Sequence, residues 1–253
     1  MYLYDRKALK NAAKNDLKGK YWISVLVCLI FEAILYCCGY VHVVASLLVA
    51  GSLGYGYAYY FTDILRHGEA KIGNLFIGFK NYVGTLVIGL LKMLFVLLWS
   101  LLLVVPGIIK YIAYSMAFYI KRDNPDMTAK ECLAASVRLT KGHKGKIFVL
   151  ALSFFGWYIL AGFAVGYIFA FTQAFAGLYF YYAEVALYSL AMILIMPYYT
   201  MAFARMYDFL ILNYNEQHGG NDTISEDFSQ EAVATEAENS AEESTTEENP
   251  FNI

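Results

Sequence analysis

The sequence predicts an all-α membrane protein: a polytopic helical bundle of about six spans, arranged as three hairpins with interfacial amphipathic helices on the cytoplasmic side. Three observations lead there. Of the 253 residues, 59% are apolar and 17% aromatic, with a mean hydropathy of +0.48, well above the roughly 45–50% apolar content of soluble domains. Apolar runs of about 20 residues, the length that crosses a hydrocarbon core, recur along the chain. Charge is also segregated: residues 213–253 hold eleven acidic and no Lys or Arg side chains, so 1–212 carry all 19 basic residues against ten acidic ones.

Taken in order, Leu9, Ala12, Ala13 and Leu17 share one helical face ahead of the first span, Tyr21–Val41. No small-x-small site follows that run, so it is expected to stay as an anchor and not to be a signal peptide. The second span covers 43–65. Ile72, Leu75, Phe76 and Phe79 share a helical face ahead of the third, 83–105. A helix continuing from 83 to 120 would be about 57 Å long, nearly twice the roughly 30 Å core. The chain must therefore reverse, and Pro106-Gly107 is the expected hairpin corner, because proline removes a donor and glycine tolerates a tight bend. A short fourth span, 107–120, follows. Thr128 and Glu131 form a capping box opening a helix with Leu133, Ser136, Val137 and Thr140 on one face. Spans five and six cover 147–171 and 185–210. The membrane domain is then 1–212, and 213–253, poor in apolar residues and rich in like charge, reads as a disordered acidic cytoplasmic tail.

Basic residues orient the bundle, since Lys- and Arg-rich loops are retained in the cytoplasm. Segments 1–20, 66–82 and 121–146 hold six, three and seven of them, whereas Gly39–His42, the Pro-Gly corner and Thr172–Glu184 hold none. Both termini are expected in the cytoplasm. A threefold repeat of interfacial helix, span, span is suggested by Lys18-Gly19-Lys20-Tyr21-Trp22 against Lys144-Gly145-Lys146-Ile147-Phe148. Tyr114-Ser115-Met116-Ala117-Phe118 against Tyr199-Thr200-Met201-Ala202-Phe203 suggests it too.

Several residues are candidates for function. Glu32 and Lys92 stand near the midplane of the first and third spans, where a charge is costly and usually has a partner. They read as a charged pair, either a proton or solute relay or an ion pair fixing helix register. Lys110, just past the corner, either snorkels to the headgroups or lines a re-entrant cavity. Arg138, Lys141, Lys144 and Lys146 cluster at the inner face, as a positive-inside signal or as a site for anionic lipid headgroups or the acidic tail. Gly162 with Gly166, and Ala50, Gly54 and Ala58, are small-residue stripes suited to close helix packing. Cys28, Cys37, Cys38 and Cys132 lack metal or disulfide spacing, and the four histidines form no metal motif. No cofactor and no metal are implied, nucleic acid is not an expected partner, and no catalytic motif is present.

Leu75–Tyr82 ("LFIGFKNY"), the stretch from Leu98 to Trp157 containing "VVPGIIKYIAYSMAFYIKRDNP", and Met196–Leu210 ("MPYYTMAFARMYDFL") resemble the bacterial integral membrane proteins of the domain-of-unknown-function 975 family. The resemblance covers about 1–212. It implies a multi-pass protein of the bacterial cytoplasmic membrane and supplies no catalytic residues. Similarity to small polytopic modules, such as the membrane region attached to some glycerophosphodiesterases, implies a lipid-handling or accessory role. The expected function is a non-enzymatic accessory protein or a binder of lipid or a small amphiphile. A protein partner could attach through the acidic tail. The alternative is a small-molecule or ion transporter using Glu32 and Lys92.

Overall fold

The computed structural model describes residues 5–172 and 178–217, and within them the chain is all helix. The order is α1 (Arg6–Asp16), α2 (Tyr21–Val41), α3 (Val43–His67), a 3-10 segment (Ile72–Asn81), α4 (Tyr82–Leu102), α5 (Val104–Ala113), α6 (Ala117–Asp123), α7 (Ala129–Leu139), α8 (Lys144–Thr172) and α9 (Leu178–Gln217). Four stretches are long and apolar enough to cross a membrane: Tyr21–Val41, Ile72–Leu102, Lys144–Tyr167 and Ala186–Gln217. The other long helix, α3, is the axis of the bundle. It packs against α2, the 3-10 segment, α4, α6 and α9, and buries Leu53, Tyr57, Tyr60, Phe61 and Ile64. A helix surrounded by protein needs less apolar surface than one facing lipid, which accounts for its Gly, Ser, Thr and Tyr content.

Close approach by glycine sets the packing around α3. A Cβ on Gly51 would stand 2.8 Å from the Thr85 carbonyl oxygen, and one on Gly89 would stand 2.7 Å from Gly51 Cα. On the neighbouring turns, a Cβ on Gly56 would run into the Leu75 carbonyl, and one on Gly78 into that of Ser52. The segment from 72 to 81 is therefore drawn against α3 as a 3-10 helix, with three residues per turn. Leu75 and Gly78 are its buried stripe. Of the four residues expected to share a face, Leu75 is buried, whereas Ile72, Phe76 and Phe79 are exposed; Phe76 lies tilted against Phe79 and Phe79 stacks on Tyr82, at 6.4 Å and 6.2 Å between centroids.

The hairpin corner lies three residues before the expected one. The chain reverses at Leu103 (φ −160°, ψ 142°), and Pro106 is the third residue of α5, in the first turn where its missing N–H costs no hydrogen bond. Gly107 is helical as well. Its Cα lies against Ser100 of α4, where any side chain would collide. The expected fourth span is two short helices, broken at Tyr114–Met116. Ser136 of α7 fills that break: its hydroxyl accepts from Met116 N at 3.1 Å and donates to Ala113 O at 2.6 Å. Backbone groups freed in an apolar interior must find such partners.

The Thr128–Glu131 capping box is formed, and of the four residues expected to share a face Leu133, Ser136 and Thr140 are buried and Val137 is half-buried. The α9 helix begins at Leu178, inside the expected loop, and runs to Gln217, past the expected boundary at 212; the Asn213 amide donates to Phe209 O one turn back. The rest of the acidic stretch, 218–253, lies outside the described residues. Burial is concentrated toward one end of the bundle, where α1, the 3-10 segment and α7 lie. There Val27, Phe61, Met116, Ile120, Leu150 and Tyr207 are enclosed, whereas Tyr40, Leu101, Val104 and Phe163 toward the other end are exposed.

Candidate functional site

The α1–α2 corner is built by Gly19, whose φ of 75° is left-handed and suits glycine alone without strain. Gly142 (φ 79°) does the same at the α7–α8 corner. Four backbone hydrogen bonds recur at both. Leu17, Lys18, Lys20 and Ser24 N–H donate to Ala13, Asn15, Leu17 and Lys20. Thr140, Lys141, His143 and Ile147 donate to Ser136, Arg138, Thr140 and His143. The repeat between the first and third units is thus structural, but its register sets Gly19 against Gly142, not against Gly145.

This corner holds α1 beside α9. Arg205 grips Asp16 with two hydrogen bonds of 2.6 Å. On the other side of α1, Lys10 reaches between helices, donating to Ser153 Oγ at 3.1 Å with its ammonium 4.2 Å from the Phe154 ring centre. Burial, reinforced by nearby Arg6, lowers the pKa of Lys10 from its ordinary value. Between α1, the start of α2, α8 and α9 lies a cavity of about 770 Å³. Lys10, Lys14 and Lys18 form its rim, and Trp22, Phe154, Trp157, Leu194, Ile195 and Tyr198 its apolar wall. The Tyr21 hydroxyl, also on this cavity, donates to Leu194 O at 2.7 Å, one turn before Pro197 in α9. One side of the cavity offers cations and the other aromatic and aliphatic surface, which suits an anionic amphiphile.

The basic cluster expected at the inner face lies apart from this cavity. Arg138, Lys141, Lys144 and Lys146 lie around the α7–α8 corner, with Lys146 5.6 Å over the Phe209 ring, and do not line it. Lys10, Lys14 and Lys18, which do, recur at helical spacing ahead of Trp22 but were not singled out from the sequence.

A second polar centre joins the hairpins at the same end. Arg66 of α3 binds Asp123 of α6 bidentately, at 2.7 and 2.9 Å, and Asp208 of α9 at 2.8 Å. The Tyr207 hydroxyl donates to Asp123 at 2.8 Å. Arg122 reaches Asp123 at 3.2 Å, with its guanidinium 4.7 Å from the Tyr59 ring, and Asn74 donates to Asp63 at 2.7 Å. The matched repeats explain two of the aspartates. Asp123 and Asp208 each fall nine residues after the tyrosine that opens Tyr114–Phe118 and Tyr199–Phe203.

Glu32 and Lys92 are not brought together. Helix α3 separates α2 from α4, and Glu32 faces the side of Cys28 and Tyr158. Lys92, the eleventh of 21 residues in α4, holds its ammonium 5.2 Å over Tyr111 and 5.7 Å over Phe118. It lines a separate crevice of about 440 Å³ between α3, α4 and α5. Cation–π contacts are worth about 0.5–2 kcal/mol each, so the two rings offset much of the about 2.5–3.5 kcal/mol cost of a lysine at the centre of a span. Lys110 stands 4.9 Å over the Trp99 ring.

The glycine stripes divide. Gly54 lies 3.2 Å from Phe118 by its would-be Cβ, whereas Gly166 has open space beside it. Cys28 and Cys132 are buried and free. Burial pushes the Cys132 thiol up to about 11, which suits packing and not nucleophilic chemistry. Among the described residues no group of His, Cys, Asp and Glu is arranged to hold a metal.

Among the described residues the fold is all-helical, with four stretches long and apolar enough to cross a membrane and a lysine-rimmed, aromatic-walled pocket. The sequence profile described as "Protein of unknown function (DUF975)" matches residues 1–113 and 101–213, and the chain belongs to that family. No curated protein and no solved structure is matched.

Proposed function

We propose that this chain is a non-enzymatic protein of the bacterial cytoplasmic membrane that binds an anionic amphiphile, its headgroup on Lys10, Lys14 and Lys18 and its apolar part against Trp22, Trp157 and Tyr198. The observation that carries this reading is the two-sided lining of the 770 Å³ cavity, which lies within the roughly 300–1,000 Å³ of small-molecule sites. The membrane arrangement that goes with it has six crossings: α2, α3, α4, the broken pair α5–α6, α8 and α9. The short elements α1 and α7 lie along the inner leaflet, the 3-10 segment leads into the α4 crossing beside α3, and both termini are cytoplasmic. Sixteen of the 19 basic residues then share one compartment, as the positive-inside rule requires. In this arrangement the lysine rim faces the inner headgroups.

Native mass spectrometry of the purified full chain with phosphatidylglycerol or phosphatidylcholine tests the reading. Phosphatidylglycerol is expected to be retained preferentially, and the Lys10→Ala/Lys14→Ala/Lys18→Ala variant to lose that preference. Equal retention of the two lipids by the unaltered chain would overturn it.

A further inference from the structure

The crevice around Lys92 is distinct from the lysine-rimmed pocket and is built differently. It holds a single cation, and among the described residues no carboxylate lies within 4 Å of it; two aromatic faces take the counter-ion's place. The rest of the lining is almost wholly apolar, with Leu47, Leu90, Met93, Val96 and Leu97 prominent. Its floor is tight because Gly51 and Gly89 meet without room for a side chain. Ser100 supplies a hydroxyl farther along α4, eight residues or about 12 Å from Lys92. The volume, about 440 Å³, lies within the range of ligand sites.

We propose that this crevice binds a hydrophobic monocarboxylate, with the carboxylate on the Lys92 ammonium and the hydrocarbon lying along α4 toward Ser100. One cation matches one negative charge, and the apolar walls offer a phosphomonoester nothing for its second charge. Aromatic rings over the ammonium hold it in place without neutralising it, so its charge stays available to an incoming anion.

Radiolabelled decanoate is titrated against the full chain in nanodiscs of zwitterionic lipid. Saturable binding with a Lys92-dependent component of about one per chain is expected, with decanol, of equal length but uncharged, competing for it at least tenfold more weakly. Lys92→Met should weaken binding tenfold or more, while Lys92→Arg stays within a few fold of the unaltered protein. Leu97→Trp, which fills the crevice and keeps the ammonium, should also lose binding. Size-exclusion chromatography and thermal melting establish that each variant is folded. Decanol competing as well as decanoate on the unaltered chain would overturn the proposal, and that result needs no variant. A folded Lys92→Met that binds decanoate normally would overturn it equally. Repeated in the Lys10→Ala/Lys14→Ala/Lys18→Ala background, which removes the cations of the lipid pocket, the titration should keep its Lys92-dependent component, which separates this site from that pocket.

Discussion

Arg66 donates to carboxylates from two other helices, and all three side chains are only part-exposed, at 31%, 23% and 28% for Arg66, Asp123 and Asp208. Hydrogen bonds to charged groups contribute about 1.5–3 kcal/mol when their surroundings are partly dry, and surface screening reduces that. Arg66→Ala is therefore expected to cost about 2 kcal/mol, read as a shift in unfolding by denaturant in detergent micelles. In a double-mutant cycle with Asp123→Ala, the pair should cost less than the sum of the singles, because the two side chains share one interaction. Strict additivity would show that the contact contributes nothing. These aspartates were half-legible in the sequence: their equal distance from the repeated Tyr-x-Met-Ala-Phe could be seen, but a repeat does not say that its copies converge on a third helix. Glu32 and Lys92 misled for the same reason, since equal depth in two spans carries no information about which helix stands between them.

At the scale of the element, glycines fall into two kinds that look alike in the sequence. Gly56 sits where α3 and the 3-10 segment touch backbone to backbone, whereas Gly166 on α8 borders open space. Overpacking typically costs about 1–3 kcal/mol, so Gly56→Ala should lower the melting temperature by several degrees, while Gly166→Ala leaves it unchanged or raises it slightly through better helix propensity. A neutral Gly56→Ala would mean that the two elements are not so closely apposed. The limits of α2, the start of α3 and the Thr128 cap were readable because they depend on local chemistry. The corner at 103 and the break at 114–116 were not. Proline is equally at home in a turn and in the first turn of a helix, and the break relies on Ser136, distant in sequence.

For the whole molecule, the order of short helix followed by two long arms recurs three times, counting α5 and α6 as one broken arm. Single cysteines placed at 70 and 130 should react with a membrane-impermeant thiol reagent only in opened or inverted vesicles, and one at 103 in sealed right-side-out cells. Position 70 labelling from the opposite compartment to 130 would refute the six-crossing arrangement. Among the described residues, tight enclosure is concentrated toward the end carrying α1, the 3-10 segment and α7, with Val27, Phe61, Leu150 and Tyr207 inside it, while Tyr40, Leu101, Val104 and Phe163 stand bare at the other. In the six-crossing arrangement proposed above, the bare side chains Tyr40, Leu101, Val104 and Phe163 meet acyl chains of the outer leaflet instead of protein. The spacing of the arms there is therefore expected to respond to the lipid composition of that leaflet.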